Sequence, residues 1–266
     1  MENEKIVLAV DLDGTLVIDN DNQIHPHDIE ILRAGLPIPL ILATGRSLAS
    51  TRYPFEKNGL LNGGPLPYPL VLNNGALLYA PNEEPRARFP FPPEVTEEII
   101  HIASGYRDAT FLIQAIPEVY QLGETESGLR AIHKYGYRPQ KYHPGLAGMP
   151  LTKVMVLSDR RQDLDAMAAA FAHLPIEGNY SLDDIYELTP AGVNKGEGLK
   201  KLLEMLGWQD AKLVVAGDGE NDVCMFALAD RAFAPVTGRE MIRGMADSVI
   251  DPRPNGLLTP ILEKIL

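Results

Sequence analysis

Asp11 and Asp13 stand two residues apart in the stretch Asp11-Leu12-Asp13-Gly14-Thr15-Leu16. Carboxylates this close repel each other unless a cation or a proton lies between them. Gly14 permits a tight turn that brings the backbone up to a bound group. An aspartate can attack phosphorus and split one displacement into two steps. A second carboxyl can protonate the leaving oxygen and afterwards take a proton from water. The plain alternative is an aspartate that caps a helix or forms an Asx turn after a strand. Asp-x-Asp-Gly-Thr arises by chance at roughly 10⁻⁵ per starting position from average residue usage. That rarity favours the chemical reading, with Asp11 as the nucleophile.

A second acidic cluster is Gly217-Asp218-Gly219-Glu220-Asn221-Asp222. Oxygen-only donors suit a hard cation, and Mg²⁺ commonly takes one or two carboxylates together with water and substrate phosphate. Asp218 falls where a strand should end and is the better placed direct ligand. Asp222, four residues on, would brace a metal-bound water or Lys195. Alone, the motif is also explained as an acidic helix start favoured by the dipole. Thr44-Gly45-Arg46 offers a hydroxyl and backbone N–H groups near a helix start, a natural phosphate cradle. Lys195 opens a helix, where a cation is disfavoured by the dipole, so a use against phosphate or carboxylate charge is expected.

These residues need elements that bring them together. Ile6 to Val10 and Ile38 to Ala43 are continuous apolar runs that end in polar turns, the pattern of buried parallel strands. Leu70 to Leu72, closed by Asn73-Asn74-Gly75, and Lys212 to Ala216 read the same way. Ser47 is the expected N-cap of the helix after Arg46. In open parallel α/β sheets ligands bind at the carboxyl ends of the strands. Four such ends carry polar clusters here, at Asp11 and Asp13, Thr44 and Arg46, Asn73 and Asn74, and Asp218 and Asp222. The expected fold is α/β, with a parallel-sheet core.

Between Pro81 and Pro93 the chain carries five prolines, a poor place for a helix or an interior strand. This marks a crossing into an inserted α/β domain. The spacing predicts a core of residues 1–81 and 188–266 and an insert of 82–187. Within the insert, runs around Phe111 and Tyr120 are separated by Ala115-Ile116-Pro117, which predicts a hairpin and a mixed sheet.

The formal net charge of −12 repels phosphate backbones and anionic surfaces, so neither nucleic acid nor membrane is the expected partner. The single cysteine, Cys224, excludes an intrachain disulfide and a cysteine zinc site, and no apolar run reaches membrane length. A cytoplasmic protein is expected, as a monomer or small homo-oligomer. No Gly-x-Gly-x-x-Gly follows the first strand, which disfavours a dinucleotide-binding dehydrogenase, and no P-loop is present.

The motifs together resemble the haloacid dehalogenase (HAD) superfamily of phosphatases, in its Cof-type branch, subfamily IIB. The matching pieces are DLDGTL at 11–16, TGR at 44–46, NNGA at 73–76, NKGEGL at 194–199 and GDGENDVCMF at 217–226, and they span essentially the whole chain. The resemblance implies a Rossmann-like parallel-sheet core with an α/β cap inserted after the third strand, of the type named C2B. It implies an aspartyl-phosphate on Asp11, with Asp13 as acid and base. Mg²⁺ would be held by Asp11, the backbone carbonyl of Asp13 and Asp218, with Asp222 supporting the metal shell. Thr44 and Lys195 would hold the transferring phosphoryl group beside Gly45, and Asn221 would contact it or the nucleophile. Arg46 and Asn74 are further candidate substrate contacts, and Lys153, Asn179 and Tyr180 are candidates in the cap. The implied substrate is a small phosphorylated metabolite, a sugar phosphate or a related acid such as phosphoglycolate or a glycosyl-phosphoglycerate. Two rivals share these motifs: a phosphomutase using the same aspartate, and a non-catalytic regulator that binds a phosphometabolite.

Overall fold

The structure is a computed structural model that describes residues 5–18, 21–146 and 148–266. The chain divides into two compact units, one of residues 1–87 and 195–266, the other of residues 88–194.

The first unit begins with β1 (Ile6–Val10), α1 (Pro26–Ala34), β2 (Leu40–Ala43), α2 (Leu48–Lys57) and β3 (Leu70–Leu72). A tight turn then leads to β4 (Leu77–Ala80) and β5 (Glu84–Arg88). The second unit contributes α3 (Pro93–Gly105), β6 (Thr110–Ala115), β7 (Glu118–Leu122), α4 (Glu126–Tyr135), β8 (Gln140–Lys141), β9 (Lys153–Leu157), α5 (Arg161–Phe171), β10 (Ile176–Leu182) and β11 (Ile185–Pro190). The chain then completes the first unit with α6 (Lys195–Met205), β12 (Lys212–Ala216), α7 (Val223–Phe226), β13 (Arg231–Pro235), α8 (Glu240–Met245), β14 (Ser248–Ile250), α9 (Pro252–Asn255) and α10 (Leu258–Ile265).

Among the described residues the first unit forms one sheet in the order β14-β13-β12-β1-β2-β3-β4-β5. From β14 to β3 every pairing is parallel; β4 then pairs antiparallel with β3. Val7 to Val10 of β1 and Ile41 to Ala43 of β2 are wholly buried, as continuous apolar runs covered on both faces must be. The chain leaves β1 for β2 on one side and returns to β12 on the other. The strand order therefore reverses at β1, and the crevice outside its carboxyl end is where such sheets bind ligands.

At the far edge of this unit Asp28, wholly buried on α1, accepts from the N–H groups of Leu257 and Leu258 at 2.8 Å each. These N–H groups at the start of α10 have no partner within the helix, and Asp28 supplies one.

The second unit has its own sheet, in the order β10-β11-β9-β6-β7-β8. β6 and β7 pair antiparallel, with Phe111 opposite Leu122 and Ala115 opposite Glu118, the hairpin expected from the spacing. One face packs Phe111, Ile113, Val154 and Val156 against Ile99 of α3 and Leu164, Met167 and Phe171 of α5. The other packs Leu112, Met155 and Leu157 against Ala131 and Tyr135 of α4. Each unit thus buries apolar surface of its own.

Two expectations of organisation differ from what is seen. The units part after Ala87 and after Asn194, where the sequence suggested after 81 and after 187. β5 hydrogen-bonds onto the edge of the first sheet, and Pro85 is tolerated there because an edge strand need not donate every N–H. β11 runs on to Pro190 within the second sheet. Of the cap candidates, Lys153 is buried in an ion pair with Glu187 at 2.7 Å. Tyr180 lies under the Arg161 guanidinium and donates its hydroxyl to Asp165 at 2.7 Å. Asn179 is exposed on β10.

Candidate active site

Asp11, Asp13, Thr44, Arg46, Asn74, Lys195, Asp218, Asn221 and Asp222 all fall in the first unit. Asp11 follows β1 directly and is buried; its N–H donates to the Ala216 carbonyl at the end of β12, which ties the two motif-bearing loops together at 2.9 Å. The chain then turns at Gly14, whose φ is +80°. A Cβ there would stand 2.3 Å from Asp218 Oδ2. Glycine is required for both reasons, and the close approach brings Asp218 against the turn. Thr15, which the motif carried without an assigned role, donates its hydroxyl to Asp218 Oδ1 at 3.3 Å.

Lys195 begins α6 and is 1% exposed, with Nζ donating to Asp11 Oδ1 at 2.6 Å and to Asp222 Oδ1 at 2.7 Å. Gly198 lets α6 come close: a Cβ on it would lie 2.7 Å from the Gly75 backbone. Cys224 is a structural residue, its Sγ accepting from the Gly196 N–H at 3.1 Å. Asp222 spends both oxygens, because Oδ2 accepts from the N–H groups of Asp218 and Gly219 at 2.9 and 3.0 Å. Asp11 and Asp218 each keep one oxygen outside these bonds.

The loops after β2 and β3 are joined by backbone bonds. The Asn73 N–H donates to the Arg46 carbonyl at 3.0 Å and the Asn74 N–H to the Thr44 carbonyl at 3.1 Å. Thr44 Oγ1 accepts from the Arg46 N–H at 3.2 Å, so its own proton is directed elsewhere. Ser47 caps α2 as expected, accepting from the Ser50 N–H at 3.3 Å. Asn74 holds a left-handed backbone, φ 53° and ψ 36°, uncommon for a residue with a side chain and concentrated at functional sites. A long contact of 3.5 Å links Asn221 Nδ2 to Asn74 Oδ1. The bonds fall into two sets, one of Asp11, Lys195, Asp222, Asp218 and Thr15, the other of Asp13, Arg46, Thr44, Asn74 and Asn221. The structure places Arg46 differently from a free substrate contact: the guanidinium grips both carboxylate oxygens of Asp13, at 2.8 and 2.6 Å.

The electrostatics follow from this crowding. Burial pushes the Asp11 carboxyl well above its ordinary value; Lys195 pulls it back, while Asp222, Asp218 and Asp13 push it further up. Burial and the neighbouring Asp222 push Asp218 up to about 6, against the pull of Lys195 and the Thr15 hydroxyl. Burial alone would lower Lys195, but Asp11 and Asp222 outweigh it and keep the ammonium protonated. With all four carboxyls ionised they outnumber the two cations, Lys195 and Arg46, by two, an excess that the raised values of Asp11 and Asp218 reflect. Ligand atoms of Asp11, Asp218 and Asp222 lie within 4.8 Å of one another. An all-oxygen donor set with that excess of charge fits one hard divalent cation.

Residues 8–257 match the haloacid dehalogenase-like hydrolase family. The chain belongs to that family. Its acidic triad is consistent with the metal site of HAD phosphatases, and its mainly parallel core with a second inserted sheet matches subclass IIB structures. Among curated relatives, a phosphoglycolate phosphatase of Natronomonas pharaonis is 29% identical over 250 residues, covering 92% of this chain and 90% of the relative. A 5-amino-6-(5-phospho-D-ribitylamino)uracil phosphatase of Bacillus subtilis is 23% identical, covering 93% of this chain and 92% of the relative. Among solved structures, a Thermotoga maritima protein superposes with a TM-score of 0.81 at 26% identity, covering 98% of each chain. A HAD subclass IIB sugar phosphatase superposes with a TM-score of 0.80 at 18% identity, covering 98% of this chain and 99% of the other, which bears on the fold alone. Among the described residues no helix is long and apolar enough to cross a membrane.

Proposed function

We propose that this HAD-type phosphatase hydrolyses phosphomonoesters of small metabolites, sugar phosphates or related phospho-acids, through an aspartyl-phosphate on Asp11. The observation that carries the reading is the Lys195 ammonium fixed at 2.6 Å from Asp11 in a buried centre with an excess of carboxylate. A carboxylate so held keeps its other oxygen outside the ion pair, at the end of β1. In the first step that oxygen bonds to phosphorus, the ester P–O bond breaks, and Asp13 gives a proton to the leaving oxygen. In the second, water bonds to phosphorus, its proton passes to Asp13, and the bond to Asp11 breaks, releasing phosphate. Thr44, the Gly45 N–H and Lys195 steady the transferring group, and Asn221 and Asn74 flank it.

Asp11, the Asp13 carbonyl and Asp218 are the groups that would hold Mg²⁺, with Asp222 as brace because its oxygens are already engaged. Bound there, the cation would neutralise charge on the phosphoryl oxygens. The names of the curated relatives support a small phosphorylated substrate, and phosphoglycolate is the first to try. A cytoplasmic metabolite enzyme agrees with a sequence of one cysteine.

The test is a screen of phosphorylated metabolites with Mg²⁺, ranked by kcat/KM and read as free phosphate, which a mutase would not release. Asp11→Asn should abolish turnover. Full activity in that variant would sink the mechanism.

A further inference from the structure

We propose that Arg46 is a positioning residue for Asp13 and not a contact of the phosphoryl group, a reading that rests on the proposed phosphatase mechanism. The guanidinium uses Nε on Asp13 Oδ2 at 2.8 Å and Nη2 on Oδ1 at 2.6 Å, the parallel two-point contact that only arginine can make. Its third nitrogen, Nη1, donates to the Ser50 carbonyl in the first turn of α2 at 3.0 Å. Three of its five N–H donors are thus directed at Asp13 and the Ser50 carbonyl, which fixes the plane of the guanidinium against Asp13.

The two partners differ in their surroundings. The Arg46 side chain is 2% exposed and that of Asp13 31%. Arg46 is built into a frame. Its N–H bonds Thr44, its carbonyl takes the Asn73 N–H, and the turn of α2 beneath it is capped by Ser47. Asp13 lies on the turn before Gly14, with a half-buried carboxylate. The buried member, held in its frame, therefore sets the orientation of the half-buried one. An acid that must meet the leaving oxygen and then a water needs that orientation fixed, because small misplacements cost rate steeply. Lysine at 46 would keep the charge but could not span both oxygens.

The experiment is a double-mutant cycle with Asp13→Ala, Arg46→Gln and the pair, in the full chain with Mg²⁺. Arg46→Gln alone should lower kcat/KM at least about tenfold, and in the Asp13→Ala background it should change kcat/KM by less than about twofold, because its effect passes through Asp13. A second readout is the leaving group. The loss in Arg46→Gln should be at least about tenfold greater for an alkyl phosphate than for p-nitrophenyl phosphate, whose leaving oxygen needs no proton. The third is competitive inhibition by inorganic phosphate, whose Ki should stay within about twofold.

Multiplying effects in the cycle, equal losses on both substrates, or a Ki raised tenfold or more would each overturn the assignment, the last returning Arg46 to the phosphoryl group. Arg46→Lys, which keeps the buried charge, is read by the same criteria should Arg46→Gln not fold. Turnover surviving in Asp11→Asn would remove the mechanism beneath the proposal. An inactive Asp11→Asn with an additive cycle would remove the proposal alone.

Discussion

Replacing Lys195 by methionine removes the one ammonium that joins Asp11 to Asp222 while keeping a side chain of similar length. The ammonium is 1% exposed and lies 2.6 and 2.7 Å from the two carboxylates. Breaking a buried pair by deleting one partner costs about 3–5 kcal/mol, because the remaining charge is stranded. Here two carboxylates are stranded at once, and the excess at the centre, with all four carboxyls ionised, rises from two negative charges to three, which puts the cost at the upper end. For a chain of this size that corresponds to a fall of on the order of 10 °C in melting temperature. Mg²⁺ should restore more stability to the variant than to the parent, since it is then the main remaining cation beside Asp11. Loss of a preorganised positive donor at the reacting centre should lower kcat/KM by about 10²–10³-fold. The assays are thermal melts with and without Mg²⁺ and steady-state phosphate release. A variant melting within about 2 °C of the parent, or keeping more than about a tenth of its kcat/KM, would refute the view of Lys195 as the organiser of the centre.

Asp28→Ala should lower stability by about 3 kcal/mol in chemical denaturation, since two buried N–H groups at the start of α10 lose their acceptor; Asp28→Asn, which can still accept one, should lie between. Neither should alter KM. Asp218, pushed up to about 6 in the folded protein from 3.8, gives a pH dependence with a definite sign. Between those values the metal-free folded state holds a proton that the unfolded chain releases, so Asp218 makes apo stability fall as pH rises toward 6, and the raised Asp11 acts with the same sign. Mg²⁺ displaces that proton, so calorimetry should show affinity rising with pH through the region near 6, by up to about tenfold per pH unit on account of Asp218, with the raised Asp11 adding in the same direction. Affinity independent of pH between 5 and 7 would contradict this picture.

The parallel strands and the loops at their ends were legible because each apolar run ends in a residue that breaks it: Asp11, Thr44, Asn73 and Gly217. Ser47 could be read as a cap for the same reason, since the signal and the structure both lie within one turn of chain. β4 and β5 were not read. Leu77–Ala80 is a short apolar run equally at home in a loop, and Glu84–Arg88 is exposed and proline-bearing, held only at the sheet edge. β10, with Gly178 and Asn179 in its middle, carries no strand pattern of its own and is fixed by pairing with β11. At the centre, residue types and spacing pointed to Asp11, Lys195 and Asp218. They could not say where a long side chain would turn, and Arg46 reaching 33 residues back to Asp13 is a fact of three-dimensional placement.

The central position of β1 has a consequence for how the protein is made. Its five residues are matched along their whole length by Lys212 to Ala216 of β12. At synthesis rates of about 5–20 residues per second, the intervening stretch of about 200 residues takes roughly 10–40 s to emerge from the ribosome. Throughout that interval β1 has β2 on one side and an open edge on the other. The unit of residues 88–194, continuous in sequence and with apolar cores of its own, is finished before β12 exists. A nascent chain therefore carries Asp11 long before it carries Lys195, and phosphoryl chemistry is withheld until the last third of the protein has been translated.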